Sequence, residues 1–157
     1  LQVFDVLIFY KGLIERMREF ITSSPDETRA LAHDFALKIK GGEVVAFKGG
    51  LGMGKTTFVS GAASALGAGD LVSSPTFAIV NDYGGKPHIY HFDMYRVEDW
   101  DSLYSTGFFD YMTDENVLFI EWSENIESAL PENTIYITME KTDSESGRKI
   151  TFDGGGH

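Results

Sequence analysis

The chain has 157 residues, 43% hydrophobic and 24% charged, which is a globular mixture sized for one ordinary domain with a core of its own. It contains no cysteine, which excludes a disulfide framework, a thiol nucleophile and any thiolate metal site. The net charge of −11 argues against an unaided grip on a phosphate backbone. The acidity is uneven. Residues 1–97 are neutral overall, whereas residues 98–145 hold thirteen acids against a single lysine. That stretch is either a solvated acidic face or a docking face for a basic partner.

Residues 1–10 are mostly apolar but too short to span a bilayer, and they lack the basic leader and cleavage site of a secretory signal. The expected organisation is an extension over 1–16, a domain over 17–152 that opens at Met17, and a loose tail over 153–157. The protein reads as cytoplasmic, with no membrane attachment. Ser24-Pro25-Asp26-Glu27 predicts a helix start, with Ser24 as N-cap, Pro25 at the first helical position and Glu27 closing a capping box. Leu31, Phe35 and Ile39 then recur every four residues as a buried stripe. Lys38 and Lys40 stand in the last turn, and Gly41-Gly42 ends it.

Val44-Val45-Ala46-Phe47 reads as a short buried strand running into a glycine-rich segment, and a second helix covers 55–66 up to Gly67. Residues 77–83 and 87–92 flank Gly84-Gly85 as a hairpin. A short helix is expected over 98–104. Val117-Leu118-Phe119-Ile120 is a continuous apolar run, as in a central strand. Strands over 134–139 and 148–152, joined by a hydrophilic turn, complete an α/β reading: one P-loop-type domain with a mainly parallel central sheet flanked by helices, plus an antiparallel hairpin.

Gly49-Gly50-Leu51-Gly52-Met53-Gly54-Lys55-Thr56 fits G-x-x-x-x-G-K-[ST] in full. Glycines let such a loop curl so that successive N–H groups surround a phosphate, and the following helix adds the positive end of its dipole. The backbone of residues 50–57 (Gly50, Leu51, Gly52, Met53, Gly54, Lys55, Thr56 and Thr57) is therefore the expected nucleotide contact. Lys55 would reach the β- and γ-phosphates, and the Thr56 hydroxyl would serve Mg²⁺. An acid at a neighbouring strand end is also needed, for the magnesium shell or to orient water. Glu121 ends the apolar run and Asp93 ends His88-Ile89-Tyr90-His91-Phe92, so both are candidates. His91 shares a strand face with Asp93, either orienting that carboxylate or simply packing in the core, while His88 faces the other way.

No Asn-Lys-x-Asp occurs, so guanine recognition has no visible basis and ATP is the default. After the loop the chain has only two arginines, Arg96 and Arg148, which argues against a kinase with its own basic lid. Arg96 could steady transition-state charge or form a plain ion pair.

Thr22-Ser23-Ser24-Pro25-Asp26-Glu27-Thr28, the loop through Thr57, Ser74-Pro75-Thr76-Phe77, His91-Phe92-Asp93-Met94-Tyr95-Arg96 and Glu121-Trp122 follow one another in that order. Together they resemble the bacterial TsaE (YjeE) family of tRNA threonylcarbamoyladenosine synthesis. The resemblance implies binding of ATP or ADP with Mg²⁺, slow ATP hydrolysis, and assembly with the TsaB and TsaD proteins, whose cycle it resets; tRNA would be met only through that complex. It also implies roles for Lys55 (phosphate), Thr56 and Glu121 (magnesium), Asp93 (activity), Thr76 (a switch-like segment near the γ-phosphate) and Trp122 (nucleotide proximity). Two positions depart from the family pattern: Gly50 stands where an acid is usual, and Met53 where alanine is. The rival readings are a small-molecule kinase and a nucleotide-gated assembly module without essential hydrolysis.

Overall fold

The computed structural model describes residues 17–68, 72–75 and 79–154. Residues 1–16, 76–78 (with Thr76, Phe77 and the start of the expected 77–83 strand) and 155–157, all named in the expectations above, lie outside the described residues. The elements in chain order are β1 (Met17–Thr22), α1 (Pro25–Ala36), β2 (Val44–Lys48), α2 (Lys55–Ala65), β3 (Val80–Gly84), β4 (His88–Asp93), α3 (Trp100–Ser105), β5 (Asn116–Glu121), β6 (Ile135–Lys141) and β7 (Arg148–Asp153). Two 3₁₀ segments, Phe108–Tyr111 and Ser123–Ala129, join them.

The strands form one sheet in the order β1-β7-β6-β2-β5-β4-β3. The middle is parallel: β2 pairs with both β5 and β6, and β4 pairs with β5. Both flanks are antiparallel. β3 and β4 make the expected hairpin, and β6, β7 and β1 make a three-stranded antiparallel end. β1 carries no punctuation in the sequence; it is an edge strand held by its pairing to β7. That pairing also draws Asp153 into the sheet, opposite Met17, rather than leaving it in a loose tail.

Two apolar clusters lie on opposite faces. Val45, Phe47, Val117 and Phe119 meet α1 and α2 through Ala32, Ala36, Phe58 and Ala62. Val44, Leu118 and Ile120 meet Leu103, Phe108 and Ile126 on the other side. β5 is thus buried on both faces, which is why its sequence is an unbroken apolar run instead of an alternation.

α1 differs from expectation in three respects. It stops at Ala36, not at the glycines, because Lys38 and Ile39 donate to Phe35 and Ala36 in tight i→i−3 turns. The fully buried stripe is Thr28, Ala32 and Ala36, with Leu31, Phe35 and Ile39 half-buried beside it. Small residues line the contact because α1 and α2 nearly touch: a Cβ on Gly61 would lie 2.3 Å from Arg29 O. Finally, Ser24 caps the Glu27 amide as expected, but the Glu27 carboxylate reaches back to the Ser23 amide at 2.6 Å, one residue before the N-cap. α3 begins two residues later than expected, because Asp99 is its cap and accepts from the Ser102 amide.

Candidate functional site

The glycine-rich loop leaves the end of β2 and enters α2, as the motif requires. Gly49 has φ +137° and a Cβ there would lie 2.5 Å from Met139 O, so only glycine lets the chain turn out of the strand beneath β6. Gly54, at φ +100°, is the left-handed N-cap of α2. Gly50 has open space around it and no such φ, so nothing in the backbone forces glycine in place of the acid usual there. Leu51 is exposed and Met53 half-buried, so the loop's own side chains leave its backbone uncovered.

Beside the loop lies a cavity of about 380 Å³. Gly52, Lys55, Thr56 and Glu121 line it on the side of the strand ends, with Ser74. Pro25 and Thr28 of α1 and Ser146 and Arg148 of the β6–β7 hairpin line it as well. By the strand order, Arg148 and Glu121 flank the loop from opposite sides of β2.

Lys55 is buried, and its Nζ donates to Gly49 O at 3.0 Å while standing 5.5 Å from the Trp122 ring centroid. A neutral carbonyl is a weak acceptor for an ammonium compared with an anionic oxygen. Glu121 is also buried, and its Oε1 is held at 3.0 Å by Nε2 of His91, whose side chain is wholly enclosed. The other ring nitrogen, Nδ1, lies 3.0 Å from the Tyr83 hydroxyl. That hydroxyl donates to Ser73 O and receives the Ser73 and Asn81 N–H groups. Burial pushes the Tyr83 phenol up, with the nearby Glu121 charge adding to it, against the hydrogen bonds that the Asn81 side chain and the Ser73 amide donate to its oxygen.

His91 therefore orients Glu121, not Asp93. The two acids are neighbours in the β4–β5 register, but the Asp93 carboxylate accepts the Tyr95 amide at 2.9 Å and is not among the cavity residues. His88 faces the other way, as expected, paired with Asp82. Burial raises the Asp82 carboxyl, but the Gly84 amide and the His88 ring outweigh it and hold the group below its ordinary value. Arg96 is exposed and pairs with no acid among the described residues.

Trp122 follows Glu121 at φ +56°, a left-handed conformation that costs a non-glycine residue about 1–2 kcal/mol. It turns the chain sharply out of β5. Its ring packs on Tyr95 at 4.8 Å, and the next residue, Ser123, donates to Phe47 O. The strain is offset by these contacts, and the Ser123 bond pins the end of β5 to the strand that feeds the loop.

Sequence reasoning missed Tyr83 and the lining residues Pro25, Thr28 and Ser146, and it noticed Arg148 only as one of two arginines. Gly84-Gly85 was the available signal for Tyr83, since a hairpin there folds residue 83 back toward 91. Arg148 is brought to the loop by pairing of distant strands, and no local spacing marks it.

A mixed α/β sheet with a parallel centre, G-x-x-x-x-G-K-T between a central strand and its helix, and an acid ending the adjacent strand define a P-loop protein. The family model described as Threonylcarbamoyl adenosine biosynthesis protein TsaE matches residues 22–150. The chain is 38% identical over 137 residues to the tRNA threonylcarbamoyladenosine biosynthesis protein TsaE of Bacillus subtilis, covering 87% of this chain and 85% of that one. It is 40% identical over 114 residues to the protein of the same name from Aquifex aeolicus, covering 71% and 80%. The crystal structure of Bacillus subtilis YdiB superposes with a TM-score of 0.72 at 32% identity, covering 90% of this chain and 87% of that one. The chain belongs to the TsaE family.

Proposed function

We propose that this protein binds ATP with Mg²⁺, hydrolyses it slowly, and serves tRNA threonylcarbamoyladenosine synthesis by cycling a TsaB–TsaD assembly, meeting tRNA only through that complex. The observation that carries the reading is the convergence of the loop, Lys55, Thr56 and Glu121 on one cavity. Its volume lies within the usual range of small-molecule sites, about 300–1,000 Å³.

The chain's groups divide the work. The loop amides and the start of α2 bind phosphate oxygens. Lys55 exchanges Gly49 O for a phosphate oxygen, bringing its charge to the β- and γ-groups. Thr56 and Glu121 offer a hydroxyl and a carboxylate, hard oxygen donors that fit Mg²⁺, which commonly takes one or two protein oxygens and completes its shell with phosphate and water. When bound, the ion would neutralise phosphate charge. His91 keeps the Glu121 carboxylate from rotating. Glu121, which lines the cavity, and Asp93 beside it are the groups to orient water; Glu121 is the better placed. Thr76 and Trp122 complete the expected nucleotide contacts. Of the two arginines after the loop, Arg96 is not among the cavity residues and Arg148 is bonded to carbonyls. That favours hydrolysis over transfer to a small acceptor.

The test is phosphate release from ATP with and without purified TsaB and TsaD. Lys55→Ala should lower turnover by about 10²–10³-fold, as loss of one preorganised charge contact does. Turnover near that of the unaltered protein would refute the assignment.

A further inference from the structure

Arg148, at the start of β7, spends its guanidinium on four carbonyl oxygens. Nε donates to Met53 O at 3.0 Å and Nη2 to Gly52 O at 3.2 Å, both in the glycine-rich loop. Nη1 donates to Glu145 O at 2.9 Å and Gly147 O at 2.8 Å, in its own hairpin turn. One planar fork thus clamps two consecutive peptide groups of the loop to the β6–β7 turn, ninety-five residues away in the chain. Within the turn Gly147 is buried, and its amide donates to Ser144 O.

A trans peptide plane carries its C=O and N–H on opposite sides. Carbonyls 52 and 53 point at the guanidinium, so the N–H groups of Met53 and Gly54 point away from it. Gly52 and Gly54 have φ of +72° and +100° on either side of Met53, the alternation that makes successive amides converge on an anion. Arg148 pairs with no carboxylate among the described residues, and it lines the cavity. Its charge is therefore left to act on whatever occupies that cavity.

We infer that Arg148 is a positioning residue for the anion site: it holds the Met53 and Gly54 amides toward a bound phosphate and adds an uncompensated positive charge behind them. The inference rests on the nucleotide reading above and deepens it.

The test is calorimetric titration of the full chain with MgADP and with pyrophosphate, for the unaltered protein, Arg148→Met and Arg148→Lys. Amide NMR shifts of residues 53, 54, 56 and 57 on pyrophosphate addition, and a thermal melt of each variant, accompany it. Arg148→Met should weaken pyrophosphate about 10- to 100-fold, the loss of charge-assisted bonds. The Met53 and Gly54 amides should lose their shifts, while those of Thr56 and Thr57 keep theirs; a merely structural role would move all four together or none. Arg148→Lys keeps the charge without the fork, so it should fall between the two. If the unaltered protein binds neither ligand, the nucleotide reading fails. If it binds and Arg148→Met binds within twofold with the residue 53 and 54 shifts intact, the inference is overturned. If Arg148→Met does not melt cooperatively, Arg148→Lys decides: an affinity equal to that of the unaltered protein overturns the clamp, and a several-fold loss upholds it.

Discussion

His91 offers the sharpest test of how the site is held. Its ring is wholly buried between two partners at 3.0 Å, Glu121 Oε1 and the Tyr83 hydroxyl. His91→Ala strips the hydrogen-bond partner from a buried carboxylate oxygen, which costs about 1–3 kcal/mol, and more if the group is charged. It also opens a cavity of ring size, a further loss of about 2 kcal/mol by comparison with other core truncations. Tyr83 suffers less, because Ser73 and Asn81 remain. The expected destabilisation is about 3–5 kcal/mol, or roughly 6–20 °C in melting temperature for a domain of this size. Chemical denaturation with and without the substitution measures it.

Two isosteric variants separate scaffold from site. In His91→Gln the side-chain amide takes the place of Nε2 and keeps the Glu121 bond; in His91→Asn it takes the place of Nδ1 and keeps only Tyr83. Each gives up one bond, so both should lose about 1–2 kcal/mol of stability. Turnover should survive far better in the glutamine variant. A His91→Ala protein less than about 1 kcal/mol weaker than the unaltered one, or equal turnover in the two isosteres, would refute the reasoning.

Two further expectations concern the scaffold. Gly61→Ala gains about 1 kcal/mol of helix propensity but drives a methyl into Arg29 O, and such overpacking costs about 1–3 kcal/mol or more; urea denaturation should show a net loss, and a stabilised variant would disprove the close approach of α1 and α2. Asp82 has a lowered carboxyl pKa, so its contribution is fully present above the ordinary aspartate value and is lost as pH falls through the folded value. The melting difference between the unaltered protein and Asp82→Asn should therefore shrink on acidification below pH ~4, and a difference constant across that range would contradict the pairing with Gly84 and His88.

The strand–loop–helix unit was legible because each part announces itself locally. An unbroken apolar run needs burial on both faces, and Gly49 and Gly54 need φ values that few other residues adopt. The hairpin was legible for the same reason at Gly84-Gly85. What escaped was fixed by distant pairing. The stripe Thr28, Ala32 and Ala36 is fully buried because a glycine on another helix lets the backbones meet, so bulk alone marks the core-packed but only half-buried Leu31, Phe35 and Ile39 and misses the centre of the contact. His91 and Asp93 share a face, as alternation says, but only the β4–β5 register carries the imidazole to Glu121. Arg148 reaches the loop through two strand pairings, β7 to β6 and β6 to β2, that no spacing encodes.

The contact at Gly61 reaches beyond packing. Pro25 and Thr28 sit on α1 and Thr56 and Thr57 on α2, so backbone-to-backbone touching fuses two walls of the cavity into a single jaw with no hinge between its halves. Narrowing around a guest is then left to the facing walls: Ser74, Glu121 at the end of β5, and Ser146 and Arg148 of the β6–β7 hairpin.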